Sequence, residues 1–208
     1  MRSILTILAA ALAALAVALP AGAQTGSATV TVVHGVPGLT VDVYVDGEPA
    51  IEGFEPGTIT DPIDLPAGDH ELAVREAGAA AESEPAIAAS ATLEEGATVS
   101  IVAHLDESGQ PTLTVFADDT SSIDAGQARV VVRHTAAAPA VDVLAGGQPL
   151  LSGLSNPNED TATVPAGAYA VAVAAAGTTD PVLGPTDLAL EAGTAYTVYA
   201  IGSLDEQT

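Results

Sequence analysis

The sequence contains no cysteine, no lysine and no tryptophan, and only 3% of its 208 residues are aromatic. Without cysteine there is neither a disulfide nor a lipid-modified N-terminal Cys, so an exported domain must be held together by its apolar core. Small aliphatic side chains dominate that core. Burial stabilises a fold by about 25 cal/mol per Å² of apolar surface, and each small side chain buries little surface. We therefore expect backbone pairing and contacts between repeats to contribute to stability.

Basic residues are also scarce, since four Arg stand against 27 Asp and Glu. Removal of a leader that contains Arg2 leaves three Arg and a formal charge of −24. Binding of phosphate requires clustered Lys and Arg, so we expect no nucleic-acid partner. The acidic surface suits cations or basic partners, but a saline habitat or a biased genome composition is the simpler explanation.

Motifs for common chemistries are missing as well. The sequence has no Gly-x-Ser-x-Gly and, without lysine, no Ser-x-x-Lys. Phosphate-binding glycine loops and EF-hand spacing are absent. Pairs of carboxylates, which glycoside hydrolysis requires, occur by chance among 27 Asp and Glu and therefore indicate nothing. The sequence also has no Trp on which a sugar ring could stack. We predict no catalytic residues, no cofactor and no enzymatic activity.

The N-terminus has the pattern of a secretory signal peptide. Met1-Arg2 precedes an unbroken run of apolar and small residues from Ile4 to Leu19, and Ala21-Gly22-Ala23 follows. This pattern predicts cleavage after Ala23, with a retained membrane anchor as the alternative. No later segment is long and apolar enough to span a membrane. We therefore expect a secreted, extracellular protein, or one located in the cell envelope.

The rest of the chain is a tandem duplication. Val32–Gly53 and Val132–Gly153 are identical at eight of twenty-two positions without a gap. The offset between copies falls from 100 to 99 at Pro66 and to 97 at Leu93. An offset that shrinks only between matched blocks indicates loop deletions between retained strands. The expected units are a signal peptide (1–23), a first repeat (24–118), a linker (119–127) and a second repeat (128–208).

Short β-branched segments predict strands in both repeats. In Val41–Asp46 the valines alternate with other residues, a period of two that is typical of a half-buried strand. Asp46-Gly47 and Gly146-Gly147 tolerate the positive φ of a tight hairpin turn. Seven short strands in the first repeat, with turns about every 8–12 residues, and six matching strands in the second predict antiparallel, immunoglobulin-like β-sandwiches. The strands predicted in the first repeat are Ala28–His34, Val41–Asp46, Thr58–Leu65, His70–Glu76, Ala86–Leu93, Thr98–Leu105 and Thr112–Phe116. Those predicted in the second repeat are Ala128–His134, Val141–Ala145, Thr161–Val164, Tyr169–Ala174, Pro185–Leu190 and Thr194–Ile201.

The second repeat has no counterpart of the last predicted strand, Thr112–Phe116. A sandwich without that strand exposes an edge and part of its core. Three explanations are open. The second repeat is built with fewer strands, the sequence stops short of the natural end of the domain, or a partner supplies the strand by strand addition.

His34 and His134 occupy the same position in the two repeats, and Asp42 or Asp142 follows eight residues later. One interpretation is a His–Asp pair, or a metal site beside acidic groups. The other is a histidine that hydrogen-bonds the backbone of the next loop and orders it. A zinc site needs three or four protein ligands, and each repeat offers few histidines and no cysteine. We therefore favour the structural role and predict no metal site.

Two sets of motifs carry a family resemblance. They are Val32-Val33-His34, Val41–Gly47 and Leu65–Gly68 in the first copy, and Val132-Arg133-His134, Ala138–Val143 and Val164–Gly167 in the second. The chain thereby resembles a bacterial extracellular family, domain of unknown function 4397, in two tandem copies from about Ala28 to Leu204. This resemblance implies exported or surface β-sandwich domains and assigns no catalytic residues.

We therefore predict a secreted or cell-surface, non-catalytic protein that serves as an extracellular binding, adhesion or structural module. The expected partners are extracellular proteins or glycans, engaged at two points through the duplicated loops 35–40 and 135–140. The alternative is a metal-binding protein or metal-dependent enzyme that uses His34, His134 and nearby carboxylates. The candidate loop residues are His34, Gly35, Pro37, Asp42, His134, Pro139 and Asp142.

Overall fold

A computed structural model describes residues 26–204, and every element named in that range is a β-strand. The all-β fold predicted from the sequence is therefore confirmed. The predicted signal peptide and its cleavage site lie outside the described residues. Within 26–204, no helix has the length and apolar character needed to cross a membrane.

The first repeat is a sandwich of two four-stranded sheets. Its strands are β1 (Ser27–His34), β2 (Val41–Val45), β3 (Glu48–Phe54), β4 (Ile63–Pro66), β5 (Gly68–Glu76), β6 (Ile87–Leu93), β7 (Thr98–Leu105) and β8 (Pro111–Ala117). One sheet has the strand order β4-β1-β7-β8 and the other the order β3-β2-β5-β6. Neighbours are antiparallel except β1 and β7, which pair in parallel.

The second repeat follows the same plan with one strand fewer. Its strands are β9 (Gln127–His134), β10 (Val141–Ala145), β11 (Gln148–Leu154), β12 (Glu159–Pro165), β13 (Gly167–Ala175), β14 (Pro181–Leu190) and β15 (Ala195–Ala200). The sheets have the orders β12-β9-β15 and β11-β10-β13-β14, and β9 pairs in parallel with β15. Among the described residues, β8 has no equivalent beside β15.

Each sandwich encloses its own aliphatic core, because side chains alternate between the two faces of every strand. In β1, Ala28, Val30 and Val32 are buried in the first core, whereas Thr29 and Thr31 on the other face are partly exposed. The second core is built the same way by Ala128, Val130 and Val132 of β9, together with Val143, Leu151, Leu154, Val164 and Leu190.

The outer faces of the two sheets that contain β1 and β9 contribute to one shared apolar cluster. It contains Val33, Val102 and Phe116 of the first repeat, with Tyr199 of the second packed against them. The two sandwiches are therefore joined through side chains on the strand faces that point away from their cores.

The sequence patterns missed one strand in each repeat, β3 and β11. In β3, most residues are exposed, and Pro49 and Gly53 weaken the strand pattern. Such residues are tolerated because β3 lies at a sheet edge, where a proline costs no hydrogen bond within the ladder. The predicted strand Thr58–Leu65 is also displaced, since the regular strand covers only Ile63–Pro66.

The predicted hairpin turns are confirmed in both repeats. Asp46 and Gly47 have φ values of 53° and 85°, and Gly146 and Gly147 have values of 59° and 78°. Two successive residues with positive φ match the twist of the strands they connect.

Candidate functional site

The paired histidines are buried and hold the loops that follow them. His34 is 1% exposed, and its Nε2 lies 2.8 Å from the carbonyl oxygen of Leu39. Since a carbonyl only accepts, Nε2 carries the proton, and His34 Nδ1 is a buried lone pair without a hydrogen-bond partner. Burial lowers the pKa of His34, with the Leu39 bond acting in the opposite direction. His134, also 1% exposed, makes the same bond to the carbonyl of Pro139 at 3.0 Å.

The paired aspartates hold backbone in the same way. Asp42 accepts hydrogen bonds from the amides of Gly53 at 2.7 Å and Gly78 at 2.9 Å. These two bonds lower the pKa of Asp42, although its burial acts to raise it. Asp142 makes the equivalent two bonds at 2.7 and 2.8 Å. Each aspartate therefore ties its strand to two glycine loops, and its hydrogen bonds go to those loops rather than to the histidine.

Metal binding depends on how His, Cys, Asp and Glu side chains are placed in the part of the chain that the structure describes. There, no three His, Cys, Asp or Glu side chains come together in a group that could hold a metal ion. The Nε2 atoms of His34 and His134 are directed at loop carbonyls. Nδ1 of His34 has no hydrogen-bond partner, whereas Nδ1 of His134 accepts from the Ala136 amide at 3.4 Å.

The candidate loops are only partly accessible. Gly35 is buried, and a Cβ at that position would lie 2.8 Å from Ile201 Cγ2 of the second repeat. Pro37 is half-buried, whereas Pro139 and the loop residue Gly38 are exposed. The first half of each loop is thus packed away, and the tips are what an external partner can reach.

A buried arginine at the junction of the repeats was not anticipated from the sequence. Arg133 is 1% exposed, and its guanidinium donates to Asp118 at 2.6 Å, Glu159 at 2.8 Å and the Tyr199 hydroxyl at 2.8 Å. It also lies over the ring of Phe116, 4.6 Å from the centroid. Burial acts to lower the pKa of Arg133, but the bonds to Glu159 and Asp118 leave it raised above its usual value.

Asn156 forms a second link between the repeats. Its side-chain amide donates to the carbonyl of Leu105 in the first repeat at 2.7 Å and to that of Ala136 in the second at 2.6 Å. A third contact joins the hydroxyls of Tyr199 and Ser100 at 3.1 Å. The signal for this junction is visible in retrospect, because Arg133 stands within a run of valines where the first copy has Val33.

The apolar cavity of the second sandwich is larger than that of the first. It has a volume of about 170 Å³, against about 20 Å³ at the corresponding place in the first repeat. Leu113 of β8 lines the small cavity, whereas Val198 of β15 and Leu183 of β14 line the large one. Within residues 26–204, no strand beside β15 supplies a residue equivalent to Leu113.

Comparison with known proteins gives a family and no activity. The model of the family described as "Domain of unknown function (DUF4397)" matches residues 28–144 and 136–208. No curated protein matches the chain.

Two solved structures cover most of the chain. "The Bacillus anthracis TIE protein" is 10% identical over 85% of this chain and 33% of its own, with a TM-score of 0.28. A leucine-rich repeat protein from Bacteroides thetaiotaomicron VPI-5482 is 13% identical over 86% of this chain and 27% of its own, with a TM-score of 0.21. The chain thus spans about a third of the first structure's length, and TM-scores of this size establish no shared fold.

Proposed function

We propose that this chain, which belongs to the family described as "Domain of unknown function (DUF4397)", is an exported, non-catalytic module that binds an extracellular protein or glycan. The two β-sandwich repeats act together as one scaffold in this proposal. Their surfaces, rather than a chemically reactive pocket, provide the function.

The observation that carries the proposal is that equivalent His and Asp side chains hydrogen-bond loop backbone in both repeats. His34 and His134 bond loop carbonyls, and Asp42 and Asp142 each bond two loop amides. A general base or a metal ligand needs an accessible polar atom within reach of its substrate. Side chains engaged with backbone in both repeats support a scaffold whose loops are held in a defined shape.

The junction supports joint action by the two repeats. The buried Arg133 of the second repeat pairs with Asp118 of the first and with Glu159 of its own repeat, and Asn156 bonds backbone of both repeats. Contacts of this kind hold the exposed tips at Gly38 and Pro139 at a set separation. A partner that touches both repeats then gains from effective concentration at the second contact.

The test combines export with metal dependence. The full chain is expressed in a secreting bacterial host, the N-terminus of the extracellular product is determined by mass spectrometry, and its thermal unfolding is followed with EDTA, Zn²⁺ or Ca²⁺. We expect an N-terminus at Gln24 and no change in melting temperature with either metal.

Retention of the protein inside the cell would contradict export. A stoichiometric Zn²⁺-dependent rise in melting temperature that is lost in His34→Ala and His134→Ala would instead establish the metal-binding alternative. Salt provides the control, because a rise with salt alone reports screening of the acidic surface.

A further inference from the structure

The second sandwich has an uncovered strand at the position that β8 occupies in the first. In the first repeat, β8 runs antiparallel along β7, from Val99 opposite Ala117 to Leu105 opposite Pro111. In the second repeat, β15 pairs with β9 on one side and forms the edge of its sheet on the other, within residues 26–204.

The uncovered edge exposes apolar side chains of the second core. Val198 is 42% exposed, whereas its counterpart Ile101 is 4% exposed under β8. Across the opening, Leu183 of β14 lines the cavity and is 63% exposed. Together with the cavity of about 170 Å³, these residues form a slot between β15 and β14 with aliphatic walls. We refer to it as the β15 slot.

The backbone of β15 presents a row of hydrogen-bonding groups to this slot. The amide of Arg129 donates to the carbonyl of Thr194, and that of Thr135 donates to the carbonyl of Ala200. In a parallel ladder, alternate residues bond the same neighbour, so the even-numbered residues of β15 face β9. The N–H and C=O groups of Ala195, Thr197 and Tyr199 therefore point toward the open side.

The first repeat shows what chemistry fits the slot. There, the corresponding groups of β7 bond β8, as the bond from the Asp118 amide to the Thr98 carbonyl shows. Leu113 of β8 packs against the first core, and Val115 lies on the same face of the strand. The matching occupant is an extended strand, antiparallel to β15, with aliphatic residues at alternate positions.

Charge distinguishes a second copy of this protein from a different polypeptide as the source of that strand. The sequence has no Lys or Arg after Arg133, and β14 and its flanks carry Asp180, Asp187 and Glu191. A second copy of this strongly acidic protein is repelled, and its own β8 is already paired with β7. A strand with basic residues beside its aliphatic ones is attracted instead.

We propose that the β15 slot accepts an extended segment of a different polypeptide, antiparallel to β15, with alternating aliphatic residues and flanking Lys or Arg. The inference rests on the proposed binding function and specifies its partner. Strand addition of this kind draws affinity from main-chain hydrogen bonds and specificity from the side chains that enter the core.

The test uses a synthetic peptide with the pattern of β8. A fluorescent peptide carries the sequence Pro111–Ala117 with Thr at the Phe116 position, since Phe116 points away from the core, and one lysine at each end. The control peptide has Ser at the Leu113 and Val115 positions. Binding to the purified protein is measured by fluorescence anisotropy, and backbone protection by hydrogen exchange.

Two variants of one edge residue provide the matched protein control. Thr197→Pro removes the backbone N–H that faces the slot and leaves the hydrogen bonds to β9 in place. Thr197→Ser retains this N–H. We expect binding to weaken about fivefold to tenfold in Thr197→Pro, the equivalent of one backbone hydrogen bond, and to change less than about twofold in Thr197→Ser. The serine peptide should bind at least about tenfold more weakly, because it loses its apolar burial.

Hydrogen exchange locates the bound peptide independently of the variants. We expect the amides of Ala195, Thr197 and Tyr199 to become protected when the lysine-flanked peptide binds to the unmodified protein. Absence of binding, equal binding of the serine peptide, or protection elsewhere would overturn the proposal. A dimer of the protein alone that protects the same amides would overturn it in favour of a second copy.

The two proposals fail in different ways. A protein that is exported and insensitive to metals but does not bind the peptide would remove only the strand proposal. Intracellular retention, or stabilisation by Zn²⁺ through the histidines, would remove the proposed function whatever the peptide does.

Discussion

Arg133 and Asp118 form a 2.6 Å hydrogen-bonded ion pair across the boundary between the two repeats. The arginine lies in β9, and the aspartate directly follows β8. Because the Arg133 side chain is only 2% exposed, the pair depends on the other bonds to the guanidinium for its stability. The end of the first repeat, just before the segment expected to act only as a linker, therefore contributes to the junction.

Replacing Arg133 tests the contribution of this junction to stability. Arg133→Met keeps the aliphatic part of the side chain but leaves Asp118 and Glu159 without their cation. We expect the free energy of unfolding to fall by about 3 kcal/mol, toward the low end for a broken buried pair because both carboxylates are partly hydrated. Urea denaturation measures the change.

Arg75→Met is the matched control, since it makes the same change in net charge. Arg75 lies over the ring of Tyr44, 4.8 Å from its centroid, and bonds the carbonyl of Ser83. Loss of these contacts should cost only about 1 kcal/mol. An equal cost for the two substitutions would contradict a special role for Arg133.

The stability of each repeat should depend on both carboxylate oxygens of Asp42 or Asp142. Asp42→Asn turns one oxygen into an NH₂ group, which cannot accept from the amide of Gly53 or Gly78. We expect a loss of about 1–3 kcal/mol in unfolding free energy, and the same loss for Asp142→Asn because its geometry is equivalent. Urea denaturation of both variants provides the measurement, and a loss in only one repeat would show that the two aspartates are not equivalent.

His70 should make a pH-dependent contribution to the stability of the first repeat. The pKa of His70 is raised chiefly by its bond to the Pro66 carbonyl and then by Asp46, whose own pKa is lowered chiefly by the Glu71 amide and then by His70. Stability from His70 is therefore present below its ordinary pKa of about 6.5 and lost as pH rises through its folded value. Stability from Asp46 is present above its ordinary pKa of about 3.9 and lost as pH falls through its folded value.

His70→Gln isolates this contribution from the other histidines. Burial lowers the pKa of His34 and His104, so both oppose folding as pH falls below about 6.5 and would mask the effect in the unmodified protein. The stability difference between the unmodified protein and His70→Gln should be larger at about pH 5.5 than at about pH 8.5. Urea denaturation measures this difference, and a difference that is constant with pH would rule out an ion pair between His70 and Asp46.

The two cavities predict opposite responses to the same substitution. Ala103 and Ala200 occupy equivalent positions in β7 and β15, and they line the cavities of about 20 Å³ and 170 Å³ respectively. Ala103→Leu should lower the unfolding free energy by about 1–3 kcal/mol through overpacking. Ala200→Leu has space to fill and should leave stability unchanged or raise it.

Equal destabilisation by both leucines would show that the second core is as closed as the first. Urea denaturation of the two single variants provides the comparison, and each serves as the control for the other.

The sequence predicted those parts of the fold that depend on local pattern. The alternating valines of β1 and β2 and the successive glycines at Gly146-Gly147 carry their signal in neighbouring residues. The edge strand β3 was missed because its residues are mostly exposed and show no alternation.

The candidate site was predicted less completely than the fold. Duplicated His34 and Asp42 were identified from the repeat, and the loop-ordering role weighed for His34 matches its bond to Leu39. The junction at Arg133 was missed because it brings together Asp118, Glu159 and Tyr199, which lie on three segments far apart in the sequence. A repeat comparison shows which residue differs, but only the packed structure shows what it contacts.

The most direct test of an open second sandwich is amide hydrogen exchange in the protein without ligand. The amides of Thr197 and Tyr199 in β15 correspond to those of Ser100 and Val102 in β7, which β8 covers. We predict that the two β15 amides exchange at least about 100-fold faster than their counterparts. Equal protection of the two pairs would mean that the β15 edge is covered, and it would contradict both the open slot and the strand-binding proposal.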